Sequence, residues 1–116
     1  MGLVDHSAPR PTPSEQELEL AAQTIKLLSD KTRLAILLMV HTEELPVSTI
    51  AERLDRALPA ISQHLSKLKA ARLVTSRREG TTVMYSQPDQ HVNELVNNAL
   101  DFAEHALYSL PPHHTR

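Results

Sequence analysis

Apolar positions along the chain recur with two different periods. Leu18, Ala21, Ala22, Ile25 and Leu28 are spaced by three and four, which predicts an amphipathic helix. Its start is marked at Ser14, where Ser14 and Glu17 form the Ser-x-x-Glu pattern of a capping box. Asp30 caps a second predicted helix, carrying Leu34, Leu37 and Leu38 and running to Val40 before "EELP" ends it. Ser48 then suits the cap of a short helix with Ile50, Ala51 and Leu54 inward. A tight turn leads to a further helix that has Pro59 in its first turn, where the missing N–H costs nothing. On that helix Ile61, Leu65 and Leu68 recur at helical spacing, leaving Ser62, Gln63, Ser66 and Lys67 outward. The period changes in "LVTSRREGTTVMYS": Val74, Val83 and Tyr85 alternate with polar residues, and Gly80 supplies a turn. A β-hairpin tipped by Arg77, Arg78 and Gly80 follows from this pattern. After Pro88, a last helix begins near Asp89, with Val92, Leu95, Val96, Ala99, Leu100, Ala103 and Leu107 in one stripe.

Two short helices about a turn, the second with a polar outer face, followed at once by a hairpin, predict a winged helix-turn-helix. The fold class is mainly α with a β-hairpin wing. Its order is three helices, a recognition helix, two strands and a final helix. Residues 1–13, with Pro9, Pro11 and Pro13 and no apolar period, are expected to be a disordered arm. Residues 14–108 form the DNA-binding and dimerisation domain, and 109–116 a histidine-bearing tail. With 116 residues the chain is one domain with a modest core. The final helix is longer than such a core needs, and we read it as the dimerisation helix of a homodimer formed through the terminal helices.

Charge changes the picture. The formal net charge is −2, yet Arg53, Arg56, Lys67, Lys69, Arg72, Arg77 and Arg78 face a single acid, Asp55, across residues 53–78. An averaged charge hides a basic patch of this kind, which suits DNA. Ser62 and Gln63 lie where base edges are read, and a Gln side chain can pair with adenine through two hydrogen bonds. Arg77, Arg78 and Lys67 are expected to meet phosphates, positioning the protein without reading sequence. His64 is expected to face the wing or the phosphate backbone, and His41 to be structural. Cysteine is absent, so disulfides and thiolate metal sites are excluded, in keeping with a reducing cytoplasm. No apolar run approaches a membrane span, and "MGLVDHSAPR" lacks a signal-peptide core, so the expected location is cytoplasmic with no membrane partner. With two glycines there is no phosphate-cradling loop, and no nucleophile–base pair is evident, which argues against an enzyme.

The stretches "LLSDKTRLAILLMV", "ISQHLSKLKAARLV" and "RREGTTVMYS" resemble the ArsR/SmtB family of small, dimeric, metal-responsive winged-helix repressors, in order and spacing from Ile25 to His105. Within that family, "DQHV", "AEHA" and "PPHH" look most like the KmtR type of nickel/cobalt sensor. The resemblance implies a dimer whose outer helices pair across a two-fold axis. It also implies metal ligands at His91, Glu104, His105, His113 and His114, and places Pro59 where only a thymine methyl or a sugar is touched. Family sensors of arsenic, cadmium or lead use cysteines, and the matching "ELPVSTI" has none. The zinc type uses Asp-x-His followed by His-x-x-His or His-x-x-Glu. Asp89, His91 and His105 fit that pattern, but Phe102 occupies a ligand position and cannot ligate.

Spacing tests the ligand set independently. His91 and Glu104 are thirteen residues apart, which is roughly 20 Å on a straight helix, too far to share an ion. Antiparallel pairing of two such helices brings His91 of one chain near Glu104 and His105 of the other, and the break at "LYSLPP" lets His113 and His114 return to the same point. Several imidazole and carboxylate donors without sulfur suit Ni(II) or Co(II) as effector better than Zn(II). Asp89 reads as a helix cap before a ligand, and His6, in the arm, is a secondary candidate. The expected function is a repressor whose affinity for double-stranded operator DNA is set by metal at the dimer interface. The competing reading is a winged-helix regulator controlled by an accessory protein or small molecule.

Overall fold

The computed structural model describes residues 11–108. The first helix, α1 (Glu15–Leu28), starts where its cap requires. The Ser14 hydroxyl accepts from the Glu17 amide at 3.0 Å, and the Glu17 carboxylate accepts from the Ser14 amide at 2.8 Å. Such a box satisfies two otherwise orphaned donors. Helix α2 (Lys31–Thr42) is capped by Asp30, which accepts the Arg33 amide at 3.0 Å. A two-residue strand, β1 (Leu45–Pro46), precedes α3 (Val47–Leu54) and α4 (Leu58–Ala70). Strands β2 (Thr75–Glu79) and β3 (Thr82–Ser86) form the wing, and α5 (Gln90–Tyr108) ends the fold. The winged helix-turn-helix expected from the sequence is present.

Two details depart from the expectation. The segment "EELP" not only ends α2; its last two residues pair antiparallel with β3, Leu45 opposite Tyr85 and Pro46 opposite Met84. The sheet is therefore three-stranded, in the order β1-β3-β2, with the proline on an edge where its missing N–H is tolerated. Consequently Ser48 is not the cap of α3. Pro46, in extended geometry, holds that position, and Ser48 lies inside the helix. Pairing with β3 holds the chain extended through Pro46, and the helix begins as soon as the chain leaves the sheet.

The core is aliphatic and built from the helices and β1, with Tyr85 of β3 packed against it. Ile36, Leu37 and Val40 of α2 meet Ile50 and Ala51 of α3, Ile61, Leu65 and Leu68 of α4, and Val92 and Val96 of α5. The inward face of α2 includes Ile36 and leaves Leu38 at the surface, an offset from the Leu34/Leu37/Leu38 face expected. "LAILLMV" is apolar nearly all round, so period alone could not choose its inner side. Gln87 fastens the entry to α5 onto α2: its side chain donates to the Leu37 carbonyl at 2.7 Å and its amide to the Val40 carbonyl at 3.3 Å.

Helix α4 closes through a left-handed residue. Arg72 has φ +63°, and Leu73 returns a hydrogen bond to the Leu68 carbonyl at 2.9 Å. Glycine is the usual occupant of such a position because a Cβ costs about 1 kcal/mol there. Arg72→Gly should therefore raise stability by about 0.5–1 kcal/mol. Urea unfolding at fixed protein concentration checks it, and a lower midpoint in the variant would mean that the Arg72 side chain contributes more than the left-handed geometry costs.

Candidate nucleic-acid interface and metal-ligand positions

Burial of Ile61, Leu65 and Leu68, each fully excluded from solvent, fixes which side of α4 faces out. Pro59, Ser62, Gln63, Ser66 and Lys67 are all exposed on the other side. With Pro59 in its first turn, the helix starts after the short α3–α4 connection, whose left-handed Asp55 (φ 54°) caps α3. His64 does not turn toward the wing, one of the two directions expected of it. It is half-buried, and its Nδ1 accepts a hydrogen bond from Nε of Arg33 in α2 at 3.0 Å. The ring is thus held against α2, not the wing. Arg33 itself donates through Nη1 to the Leu27 carbonyl at 3.0 Å.

In the wing the two arginines have different surroundings, because successive residues of a strand point to opposite faces. Arg77 lies opposite Met84 and Arg78 opposite Val83. Arg77 is held by Glu44: Nε donates to both carboxylate oxygens at 2.9 Å and Nη2 donates to Oε1 at 2.6 Å. Glu79 stands 3.8 Å from the same guanidinium. The hydrogen bonds from Arg77 hold the Glu44 carboxyl below the ordinary glutamate range, and the same pair raises Arg77 above the ordinary arginine value. Arg78 forms no ion pair among the described residues. The hairpin tip is the turn Gly80–Thr81, with Gly80 at φ +65°, so Arg77 sits back from the tip.

The expected metal ligands within the described residues lie on α5. His91 is in its first turn and Glu104 and His105 are near its end, all exposed. Asp89 accepts the His91 amide at 2.9 Å, the bond expected of a helix cap, and its carboxylate lies 3.6 Å from Nδ1 of the same residue. Among the described residues of a single chain, no three His, Cys, Asp or Glu side chains come together as a metal site. His6, His113 and His114 fall outside the described residues. His41, expected to be structural, is exposed.

A helix-turn-helix domain model matches residues 28–77. The transcriptional regulator KmtR of Mycobacterium tuberculosis is 41% identical over 108 residues, an alignment covering 93% of this chain and 82% of that regulator. This chain belongs to the ArsR/SmtB family. Among solved structures, a homodimeric winged helix-turn-helix DNA-binding domain from Mycobacterium bovis, described as a possible ArsR-family regulator, superposes with a TM-score of 0.78 at 30% identity, covering 92% of this chain and 99% of that one. NolR from Sinorhizobium fredii gives 0.69 at 31% identity, over 89% of this chain and all of that one.

As an ArsR/SmtB-type protein the chain is a DNA-binding transcriptional regulator; its relatives carry regulator names and not enzyme names. No helix among the described residues is long and apolar enough to cross a membrane. Sequence reasoning missed two residues that hold candidate interface side chains, Arg33 and Glu44. Each acts at a distance of more than thirty positions along the chain, on His64 and Arg77 respectively, and no local pattern announces such a pair.

The Glu44–Arg77 pair predicts a pH dependence of wing order. Glu44 titrates lower in the folded state than in the unfolded chain, so its contribution is present above the ordinary glutamate value and is lost as pH falls through the lowered one. Hairpin amides of Glu44→Gln should show lower exchange protection than wild type at neutral pH, and the two proteins should converge only as pH falls below the ordinary glutamate range. A gap that stayed constant into acid would show that the charge of Glu44 plays no part.

Proposed function

We propose that this protein is a homodimeric repressor whose operator affinity is set by Ni(II) or Co(II) bound between the two chains. The observation that carries the reading is the disposition of α5. Its 19 residues bury only Val92 and Val96 within one chain, while Leu95, Leu100 and Leu107 remain 38–64% exposed along the same helix. Leu18 and Ile25 of α1 are likewise more than half exposed. An unpaired apolar face at each terminal helix fits a two-fold interface, as in the homodimeric Mycobacterium bovis domain.

That pairing also resolves the spacing of the candidate ligands. His91 lies at one end of α5 and Glu104 and His105 at the other, so an antiparallel partner helix supplies the complement to each. The donor set fits a borderline metal: exposed imidazoles and a carboxylate, with no cysteine in the chain. His91, Glu104 and His105, with His113 and His114 of the tail, would hold the ion, and His6 is a further candidate. Asp89 is engaged as a cap. Phe102, 75% exposed where the zinc type has a ligand, favours Ni(II) or Co(II) over Zn(II). An ion held there would stabilise one dimer arrangement over another, and the two α4 helices would then fit half-sites one DNA turn apart differently. One observation favours control by a small molecule instead: a cleft of about 480 Å³ between α1 and α4, lined by Leu20, Thr24, Leu27 and Ala70.

On DNA, Ser62 and Gln63 read base edges, Pro59 touches a thymine methyl or sugar, and Lys67 and Arg78 neutralise phosphates. Arg77 is divided between Glu44 and the backbone. Arg78→Ala should weaken binding to all duplexes and lower the slope of log K against log salt by about 0.9. Gln63→Ala should instead reduce the preference for operator over random DNA by about 1–3 kcal/mol per base pair lost. Fluorescence anisotropy across a salt series distinguishes the two, and a changed sequence preference in Arg78→Ala would reverse the assignment.

The inter-chain site is tested by complementation. A His91→Ala chain mixed with a Glu104→Ala/His105→Ala chain produces a heterodimer with one intact site and one lacking all three groups. Each mutant homodimer should bind nickel weakly, and mixing should restore tight binding at one ion per heterodimer, measured against a competing chelator. Chain exchange without restored binding would remove the inter-chain site and favour a local one made from Glu104, His105 and the tail.

A further inference from the structure

We propose that His64 is a ligand for the DNA phosphodiester backbone and that Arg33 is the positioning residue that sets its ring. The inference rests on α4 being the DNA-facing helix. A guanidinium has donors only. Because Nε of Arg33 donates to Nδ1 of His64 at 3.0 Å, Nδ1 is the acceptor and the ring proton sits on Nε2. The second tooth of the guanidinium fork is spent on the Leu27 carbonyl at 3.0 Å, so Arg33 is held at both sides. The imidazole is therefore fixed in one tautomer with a single N–H remaining to give.

His64 lines a cleft of about 80 Å³ on the flank of α4, together with Arg33, Ala60, Gln63 and Lys67. Gln63 and Lys67 connect the cleft to the exposed face of the helix. The charge around it is set by Arg33, Lys67 and the α2 cap Asp30. The hydrogen bond from the Arg33 amide, aided by the Arg33 guanidinium, holds the Asp30 carboxyl below the ordinary aspartate range. Two cations against one carboxylate leave the cleft attractive to an anion. A neutral N–H beside an ammonium, at the rim of a helix face that meets DNA, suits one phosphate oxygen of the backbone. Such a contact positions α4 without reading a base, and ties its orientation to α2 through Arg33.

The role separates from that of a cation by its salt dependence. A neutral donor strengthens binding without releasing a counterion, so its loss lowers affinity and leaves the salt slope unchanged. Binding of the full-length dimer to a random-sequence duplex at pH 8 suffices, since the contact is sequence-independent. His64→Leu should weaken binding about fivefold to tenfold at constant slope. His64→Gln, which keeps a side-chain N–H, should stay within about twofold of wild type, and Lys67→Gln should lower the slope by about 0.9. Nitrogen-15 spectra of labelled histidines should show His64 as the Nε2–H tautomer, mixed tautomers in Arg33→Lys, and a shift of the Nε2 resonance on adding duplex.

An Nδ1–H tautomer in wild type, or His64→Gln as weak as His64→Leu, would overturn the proposal. An equal resonance shift with inorganic phosphate alone would assign the cleft to a free anion and overturn the DNA role. Should His64→Leu fail to fold, the glutamine variant and the spectra still decide. If wild type bound no duplex at low salt, the reading of α4 itself would fall, an outcome distinguishable from a defect confined to the His64 variants.

Discussion

The seating of α4 on three aliphatic side chains is the constraint on which the interface depends. Ile61, Leu65 and Leu68 are fully buried against α2 and α3, and burial of such side chains contributes about 1.5–3 kcal/mol each. At 100° per residue, a rotation of α4 by one position would expose these and bury Ser62 or Gln63, which have no partners waiting in an all-aliphatic interior. The outward set is therefore a consequence of what is inward. The basic and polar groups on α4 need no interaction of their own to point at solvent.

The wing is placed by a different device. Its strands have little to bury: every residue of β2 except Ser76 is exposed, and β3 is half-buried. What orients the hairpin is its pairing with the two residues of β1 and the Glu44–Arg77 pair just before that strand. An exposed ion pair is worth little by itself. Here it acts together with a sheet edge, both anchored in the segment between α2 and α3, so the wing and the helix-turn-helix share one fixed point.

Much of this was readable from spacing and caps. The Ser14 box, the Asp30 cap and the Gly80 turn rest on interactions within four residues, and the inward face of α4 shows as apolar positions three and four apart, which is why the order of helices and the hairpin could be anticipated. Strand β1 could not: two residues carry no period, and "LP" is a strand only because β3 returns beside it. The face of α2 was ambiguous because nearly all its middle residues are apolar. Arg33 with His64 and Glu44 with Arg77 join side chains 31 and 33 positions apart, and basic residues between 53 and 78 gave no sign that one of them was already paired. The α5 candidates were legible as a pattern of histidines, but one chain does not assemble them.

Helix α2 is the element through which α5 and α4 can influence each other. It packs against both, through Ile36, Leu37 and Val40, and its two flanks carry the discrete links: Gln87 to the Leu37 and Val40 carbonyls on the α5 side, Arg33 to His64 on the α4 side. Regulatory coupling between two sites typically amounts to about 1–3 kcal/mol. One hydrogen bond contributes about 0.5–1.5 kcal/mol net, so the Arg33–His64 bond could carry part of such coupling and not the whole. The remainder would have to come from the aliphatic contacts of α2. These are close-packed and fully buried, and a small shift of α5 against Ile36 or Val40 cannot be absorbed there without moving what lies on the other side. A rigid α2, polar at each flank and apolar between, is suited to pass a displacement of α5 to the exposed polar face of α4.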